Sequence, residues 1–285
     1  MSKRILIAGS GYVGERLATL LRQNSAHEVW TLRRSANPGA AFDCPGDLTQ
    51  PDTIRLPEHL THVVFCAGLR KAPPEAYQQL FDEGLKRFLR QLEHHPIEQL
   101  LFTSTTGVYT ETNGEWVDEN SATGPMRPQT EYYLRAEKHV LSVPYPATVA
   151  RLSGIYGPGR IRLIDTVRNR DTQLIPPPPI FMNHIHVEDI VGALAFLLDS
   201  PHQHTIYNIT DHEPADRNQV ICWLANQLQC PEPAQPAADA PRPERRGGNK
   251  RCSNKRLLKE GYVFRFPTYR EGYTALLSDS TSSRA

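Results

Sequence analysis

Short unbroken apolar runs alternate with longer amphipathic stretches through about the first 150 residues. Runs at 5–8, 28–32, 62–66, 99–103 and 147–152 have the length and continuity of strands buried on both faces. Between them, Val13, Leu17, Leu20 and Leu21 share one helical face, and Phe81, Leu85, Phe88, Leu89 and Leu92 share another within 77–94. A short strand is expected just before Asp47, and a helix from 129 or 130 to 142. This alternation predicts an α/β fold with a doubly wound parallel sheet of Rossmann type. Further on, helical spacing recurs near 162–169, over 187–198 and over 218–229, with a strand at 205–209. A helix entered between 250 and 258, capped by Ser253 or Asn254, and a closing helix at 269–277 complete the pattern.

Prolines at 176–179 exclude a helix there. The proline- and alanine-rich stretch 231–243 reads as a connector, and the polar tail 278–285 as a frayed end. The expected division is therefore a dinucleotide-type domain at 1–157, with returns to the sheet from about 180–212. Residues 158–285 form a smaller, mostly discontinuous carboxyl-terminal lobe over the strand ends.

Bulk charge changes this picture little. The net charge of +1 favours neither nucleic acid nor a membrane surface. Five cysteines without a CxxC pair suit a reducing, cytoplasmic setting. No signal peptide or membrane-spanning run is visible. The expected partner is a small-molecule substrate, and a homodimer is compatible with the pattern.

The first strand runs into Gly9-Ser10-Gly11-Tyr12-Val13-Gly14 and then a helix. That order gives GxGxxG its physical meaning. Gly9 allows the turn, Gly11 lets a pyrophosphate approach the backbone, and Gly14 lets helix and strand pack closely. Ser10, Tyr12 and Val13 complete this cofactor-binding turn. After the second strand, Arg33 and Arg34 stand where an NAD site would place Asp or Glu. A carboxylate repels a 2′-phosphate, whereas guanidinium can grip it. NADP is accordingly favoured over NAD.

The motifs, taken in order, resemble the extended and atypical short-chain dehydrogenase/reductases, the NAD-dependent epimerase/dehydratase-like group. They are the glycine turn, Gly46-Asp47-Leu48, Cys66-Ala67-Gly68, Ser104-Thr105-Thr106-Gly107-Val108-Tyr109, the segment from Arg151 through Gly159, and Ile185-His186-Val187-Glu188-Asp189. The resemblance implies that Asp47 and Leu48 lie beside adenine and that Cys66, Ala67 and Gly68 follow the cofactor ribose and phosphates. It places Leu152 and Ser153 at the nicotinamide and Thr105 at the family's catalytic Ser or Thr. Tyr109, Tyr156, Arg160, Asn183 and His186 are the expected substrate contacts. Asn183-His184-Ile185-His186 lacks a third ligand, so no metal is expected.

The family's YxxxK is missing. Aligning Ala136-Glu137 with the family's Ala-Glu puts Gln129 at the Tyr and Tyr133 at the Lys. Aligning Tyr133 with the Tyr puts Glu137 at the Lys, where its charge would raise the phenol pKa. Phe81 also stands where many members have Asn. Two function classes follow. One is an NADP-preferring oxidoreductase or epimerase/dehydratase-like enzyme for a small polar or sugar-like substrate, with Thr105 and Tyr133 as catalytic candidates. The other is an NADP(H)-binding sensor or partner protein without turnover.

Overall fold

The computed structural model describes residues 2–35, 42–69, 71–199, 205–236 and 248–282, and side chains as far as 278. Arg70, most of the proline-rich connector and the last tail residues lie outside the described residues. The main sheet has seven strands: β1 (Arg4–Ala8), β2 (Glu28–Arg33), β3 (Asp43–Pro45), β4 (His62–Phe65), β5 (Gln99–Thr105), β7 (Ala147–Leu152) and β11 (Ile206–Ile209). Their spatial order is β11-β7-β5-β4-β1-β2-β3, and every pairing is parallel. Strand order reverses after β1, which lies between β2 and β4. In open sheets of this kind the crevice outside the carboxyl ends at such a switch binds ligands.

Side chains alternate across β1. Ile5 and Ile7 pack with α1 (Gly14–Leu21) and α6 (Val187–Asp199) on one face. Leu6 and Ala8 join α3 (Leu85–Leu92) and α4 (Pro128–Leu141) on the other. Each fully buried Leu or Phe in these layers contributes about 1.5–3 kcal/mol.

The second helical layer contains one irregularity. Between α2 (Pro74–Gln78) and α3 the chain takes a π-turn over Gln79–Gly84. A β-carbon on Gly84 would lie 2.3 Å from the Leu48 carbonyl oxygen, so glycine allows this segment to close on the loop after β3. The same turn carries Phe81, fully buried, with its ring centroid 4.4 Å from that of Tyr133.

The carboxyl-terminal lobe has its own core, in which α5 (Arg162–Arg168), α7 (Arg217–Gln227) and α9 (Tyr269–Ser282) meet through Ile164, Val167, Ile221, Leu224, Tyr269 and Tyr273. Three small sheets lie outside the main one: β6 (Glu115–Val117) with β13 (Lys250–Cys252), β8 (Gly154–Tyr156) with β10 (His184–His186), and β9 (Phe181–Met182) with β12 (Ala215–Asp216); the first two join segments before residue 158 to segments after it. The helix expected within 250–258 is present, but a strand precedes it. Lys250–Cys252 is a strand, because β6 and the Asn183 side chain satisfy its backbone. The helix α8 starts at Lys255 with Asn254 at its N-cap position, where the Asn254 side chain donates to the Thr210 carbonyl and makes no cap hydrogen bond.

Candidate functional site

The three turn glycines do different jobs. The Gly9 and Ser10 amides both donate to the Leu32 carbonyl at 3.1 Å, closing β1 onto β2. Gly9 has φ +110°, and a β-carbon there would lie 2.4 Å from the Ala67 nitrogen. At Gly14 it would lie 2.2 Å from the Gly9 carbonyl oxygen, so the start of α1 rests directly on the turn. At Gly11 it would meet no atom within 4 Å. Gly9 and Gly14 are thus required by the protein itself, whereas Gly11 leaves open space.

That space belongs to a groove of three joined chambers across the carboxyl ends of the strands. The first, about 490 Å³, is lined by Ser10, Gly11, Arg33, Arg34, Asp47 and Leu48 among others. The middle chamber, about 300 Å³, shares Gly11, Cys66, Ala67 and Gly68 with the first and adds Tyr12, Val13 and Arg160. The far chamber, about 450 Å³, shares Thr105, Tyr133, Leu152 and Ser153 with the middle one.

In the first chamber Arg33 is held by two carboxylates, Glu15 at 3.2 Å and Asp43 at 3.6 Å. Arg34 is exposed beside it. Asp47 accepts from the amide and hydroxyl of Thr49, both at 2.9 Å, which fixes the loop that Leu48 closes. The Cys66 thiol donates to the Gly9 carbonyl, and burial pushes its pKa up to about 12. It therefore stays a neutral thiol and packs as a small wall.

At the far end, Thr105 Oγ1 accepts from the Gly107 amide at 3.0 Å, capping the turn Thr106–Val108. Its own proton remains to donate. Ser153 is 7% exposed, and its hydroxyl has no protein partner among the described residues. Gln129 and Tyr133, one helical turn apart, both line the far chamber. Glu137 does not. This favours the register in which Gln129 takes the family's Tyr position and Tyr133 its Lys position.

Glu137 turns instead into the core. Its carboxylate accepts from Arg151 at 3.0 and 2.7 Å and from Ser104 at 2.5 Å. The expectation that Glu137 raises the Tyr133 pKa is corrected accordingly. That pKa is raised first by burial and then by Tyr77.

Three expected substrate contacts lie away from the groove. Tyr109 is fully buried, with its hydroxyl donating to Asn208 at 2.7 Å and accepting from Arg151 at 3.1 Å. Tyr156 packs 4.5 Å from the Tyr273 ring, inside the lobe core. His186 is 2% exposed and 4.2 Å from Phe266, and burial lowers its pKa to about 4. Arg160 and Asn183 do reach the groove. The Arg160 guanidinium lies 4.1 Å from the Tyr12 ring centre. Asn183 spends its amide on β13, donating to the Lys250 carbonyl and accepting from the Cys252 amide. Several lining residues had no sequence signal, Arg127, Phe181, Met182 and Lys250 among them. Lys250 is brought in by strand pairing across more than a hundred residues, which no local pattern announces.

Fold and groove together define a Rossmann-type dinucleotide site. Residues 5–210 match the NAD dependent epimerase/dehydratase family, and the chain belongs to that family. Protein YeeZ of Escherichia coli is 29% identical over 155 residues, covering 54% of this chain. The chain spans about half the length of that curated relative, 52% of it. A solved structure from Methylobacillus flagellatus, described as an NAD-dependent epimerase/dehydratase, is 31% identical with a TM-score of 0.79. It covers 98% of this chain and 99% of its own. Human epimerase family protein SDR39U1, solved with NADPH, shares the fold at 19% identity and TM-score 0.74, over 93% of this chain and 96% of its own. Among the described residues, no helix is long and apolar enough to cross a membrane.

Proposed function

We propose that the chain is an NAD(P)-dependent oxidoreductase or epimerase/dehydratase-like enzyme, preferring NADP(H), that acts on a small polar substrate in the far chamber. The observation that carries this reading is the series of three chambers, each sharing lining residues with the next. It joins a glycine turn with open space at Gly11 to a chamber walled by Thr105, Gln129 and Tyr133. The residues fit the cofactor the family uses, because the position that a pyrophosphate must approach is the one turn glycine with nothing in front of it. Arg33 and Arg34 would hold the 2′-phosphate, Asp47 and Leu48 the adenine side, and Cys66, Ala67 and Gly68 the middle. Leu152 and Ser153 would border the nicotinamide. When bound, the cofactor supplies or accepts the hydride.

The protein's own part is positioning. Thr105 donates to a substrate oxygen while its lone pairs cap the turn beneath. Tyr133 stays a neutral phenol near pH 7, since burial raises its pKa, so it donates a hydrogen bond and does not act as a base. Residues 158–285 serve as the substrate lobe, with Asn183 reaching the chamber.

Calorimetric titration of NADPH and NADH tests the cofactor reading. Wild type should bind NADPH about tenfold tighter or more, a difference of about 1.4 kcal/mol. The double variant Arg33→Ala/Arg34→Ala should lose that preference. Equal affinities in wild type would refute it.

Binding without turnover is the second reading, favoured by the absence of a Lys beside Tyr133 and by the capture of Glu137 in the core. Tight NADPH binding with no oxidation across a panel of sugars, aldehydes and ketones would support it.

A further inference from the structure

The first of the two arginines assigned to the 2′-phosphate is already engaged. Arg33 Nη1 lies 3.2 Å from Glu15 Oε1, and Arg33 Nε lies 3.6 Å from Asp43 Oδ1. That Nε is buried and has no hydrogen-bond partner among the described residues. Glu15 Oε1 also accepts from the Ser10 hydroxyl at 3.3 Å. Ser10 and Arg33 both line the first chamber, so one carboxylate oxygen joins two residues of its wall. The backbone fixes this meeting. The Gly9 and Ser10 amides donate to the Leu32 carbonyl, which brings the glycine turn against the residue before Arg33. The Glu15 amide donates to the Gly11 carbonyl at 3.0 Å, which sets Glu15 one turn behind it. An acid in the first turn of α1 meets the positive end of the helix, which accounts for a carboxylate at this position. It does not account for a side chain that reaches across to the end of β2.

Resting on the reading of Arg33 and Arg34 as the 2′-phosphate site, we infer that Glu15 is a specificity-determining residue that limits the preference for NADP(H) over NAD(H). A guanidinium grips phosphate best through two parallel N–H groups. Glu15 sits at one nitrogen of that fork. A phosphate arriving here must displace the carboxylate or share Arg33 with it, and it meets the carboxylate charge in either case. The ribose 2′-hydroxyl of NAD(H) is uncharged and meets no such repulsion. Every other charge around the chamber is the same in wild type and in a Glu15 variant. The change in the NADPH-to-NADH affinity ratio therefore isolates this one group. The Glu15 side chain is 54% exposed, so replacing it leaves the core intact.

Calorimetric titration of NADPH and NADH against the full chain, as wild type, Glu15→Gln and Glu15→Lys, tests this. Glutamine keeps the length and an accepting oxygen and removes only the charge. The NADPH-to-NADH affinity ratio should rise about fivefold over wild type in Glu15→Gln, and further in Glu15→Lys. NADH affinity should stay within about twofold. Added KCl should shrink the gain, because the carboxylate is open to solvent. A ratio in Glu15→Gln at or below that of wild type, or a rise carried only by weaker NADH binding, would overturn the inference. Arg33→Ala and Arg34→Ala, each made singly, test the reading beneath it. If either lowers the ratio while Glu15→Gln leaves it unchanged, the inference falls and the cofactor reading stands. If Glu15→Gln raises the ratio while neither arginine variant lowers it, Glu15 keeps its role and the two arginines lose theirs. A ratio that none of the variants moves sinks both.

Discussion

The first chamber is walled by residues between Gly9 and Leu80, whereas the far chamber draws on separate segments from Tyr77 to Lys250. The first is made chiefly of backbone turns at strand ends. The second is made of side chains from distant segments, completed by Phe181, Met182, Asn183 and Lys250. A site of backbone turns tolerates side-chain drift and keeps its ligand class. A site assembled from distant side chains can change its chemistry by single exchanges. A chain that has the turn glycines but carries Glu137 four residues after Tyr133, where YxxxK would place Lys, illustrates that difference.

The largest effect should come from an exchange that imitates the lost motif. Glu137→Lys would spell Tyr-x-x-x-Lys with Tyr133, yet Glu137 and Arg151 side chains are both 5% exposed and bonded to each other. A second cation there would face Arg151 in the core. Breaking a buried pair costs about 3–5 kcal/mol, and like charge adds to that. Urea unfolding should show this loss, and Glu137→Gln should lose less because its amide oxygen still accepts. A Glu137→Lys variant within about 1 kcal/mol of wild type would show that the pair is not structural.

A smaller effect, and a cleaner separation, is expected at the glycines. Gly11→Val places its side chain where no protein atom lies within 4 Å. Stability should stay within about 1 kcal/mol. NADPH affinity should fall about a hundredfold, some 2.7 kcal/mol. Gly9→Val should instead fail to fold, because φ +110° and the Ala67 backbone forbid it. Unchanged NADPH affinity in Gly11→Val would place the phosphates elsewhere.

The same contrast explains what the sequence could reveal. The sheet was legible because buried parallel strands leave continuous apolar runs, and the glycine turn because its reasons are local. The helix interior was legible as well, but the π-turn at Gln79–Gly84 was not, since Gly84 is needed for the approach of the Leu48 and Gln79 carbonyl oxygens, which no local pattern shows. Tyr109, Tyr156 and His186 sit beside groove residues in sequence and away from the groove in space. Tyr109 was captured by Asn208, ninety-nine residues away, and Tyr156 by the lobe core around Tyr273. Motif order gives neighbourhood along the chain but not side-chain direction. The strand at Lys250 leaves no local signal, because its partner, Glu115, is far off in sequence.

The smallest expected effects concern the two hydroxyls at the junction of the middle and far chambers, and they sharpen the comparison most. If the far chamber works by positioning, removing one donor should cost a hydrogen bond and no more. Thr105→Val should lower kcat/KM about tenfold, near the net worth of one hydrogen bond. It should also lose about 1 kcal/mol of stability, because Thr105 caps Gly107. Tyr133→Phe keeps the ring against Phe81, so stability should hardly change while kcat/KM falls by a similar factor. The pH profile separates donation from proton transfer. A phenol whose pKa is raised by burial stays protonated between roughly pH 7 and 9, so the wild-type rate should carry no Tyr133 ionisation there. A step in that range that disappears in Tyr133→Phe would mean that a bound ligand depresses the phenol and restores the acid–base role. A flat profile in both proteins, with kcat/KM lowered by Tyr133→Phe, would establish a positioning donor in place of the lost couple.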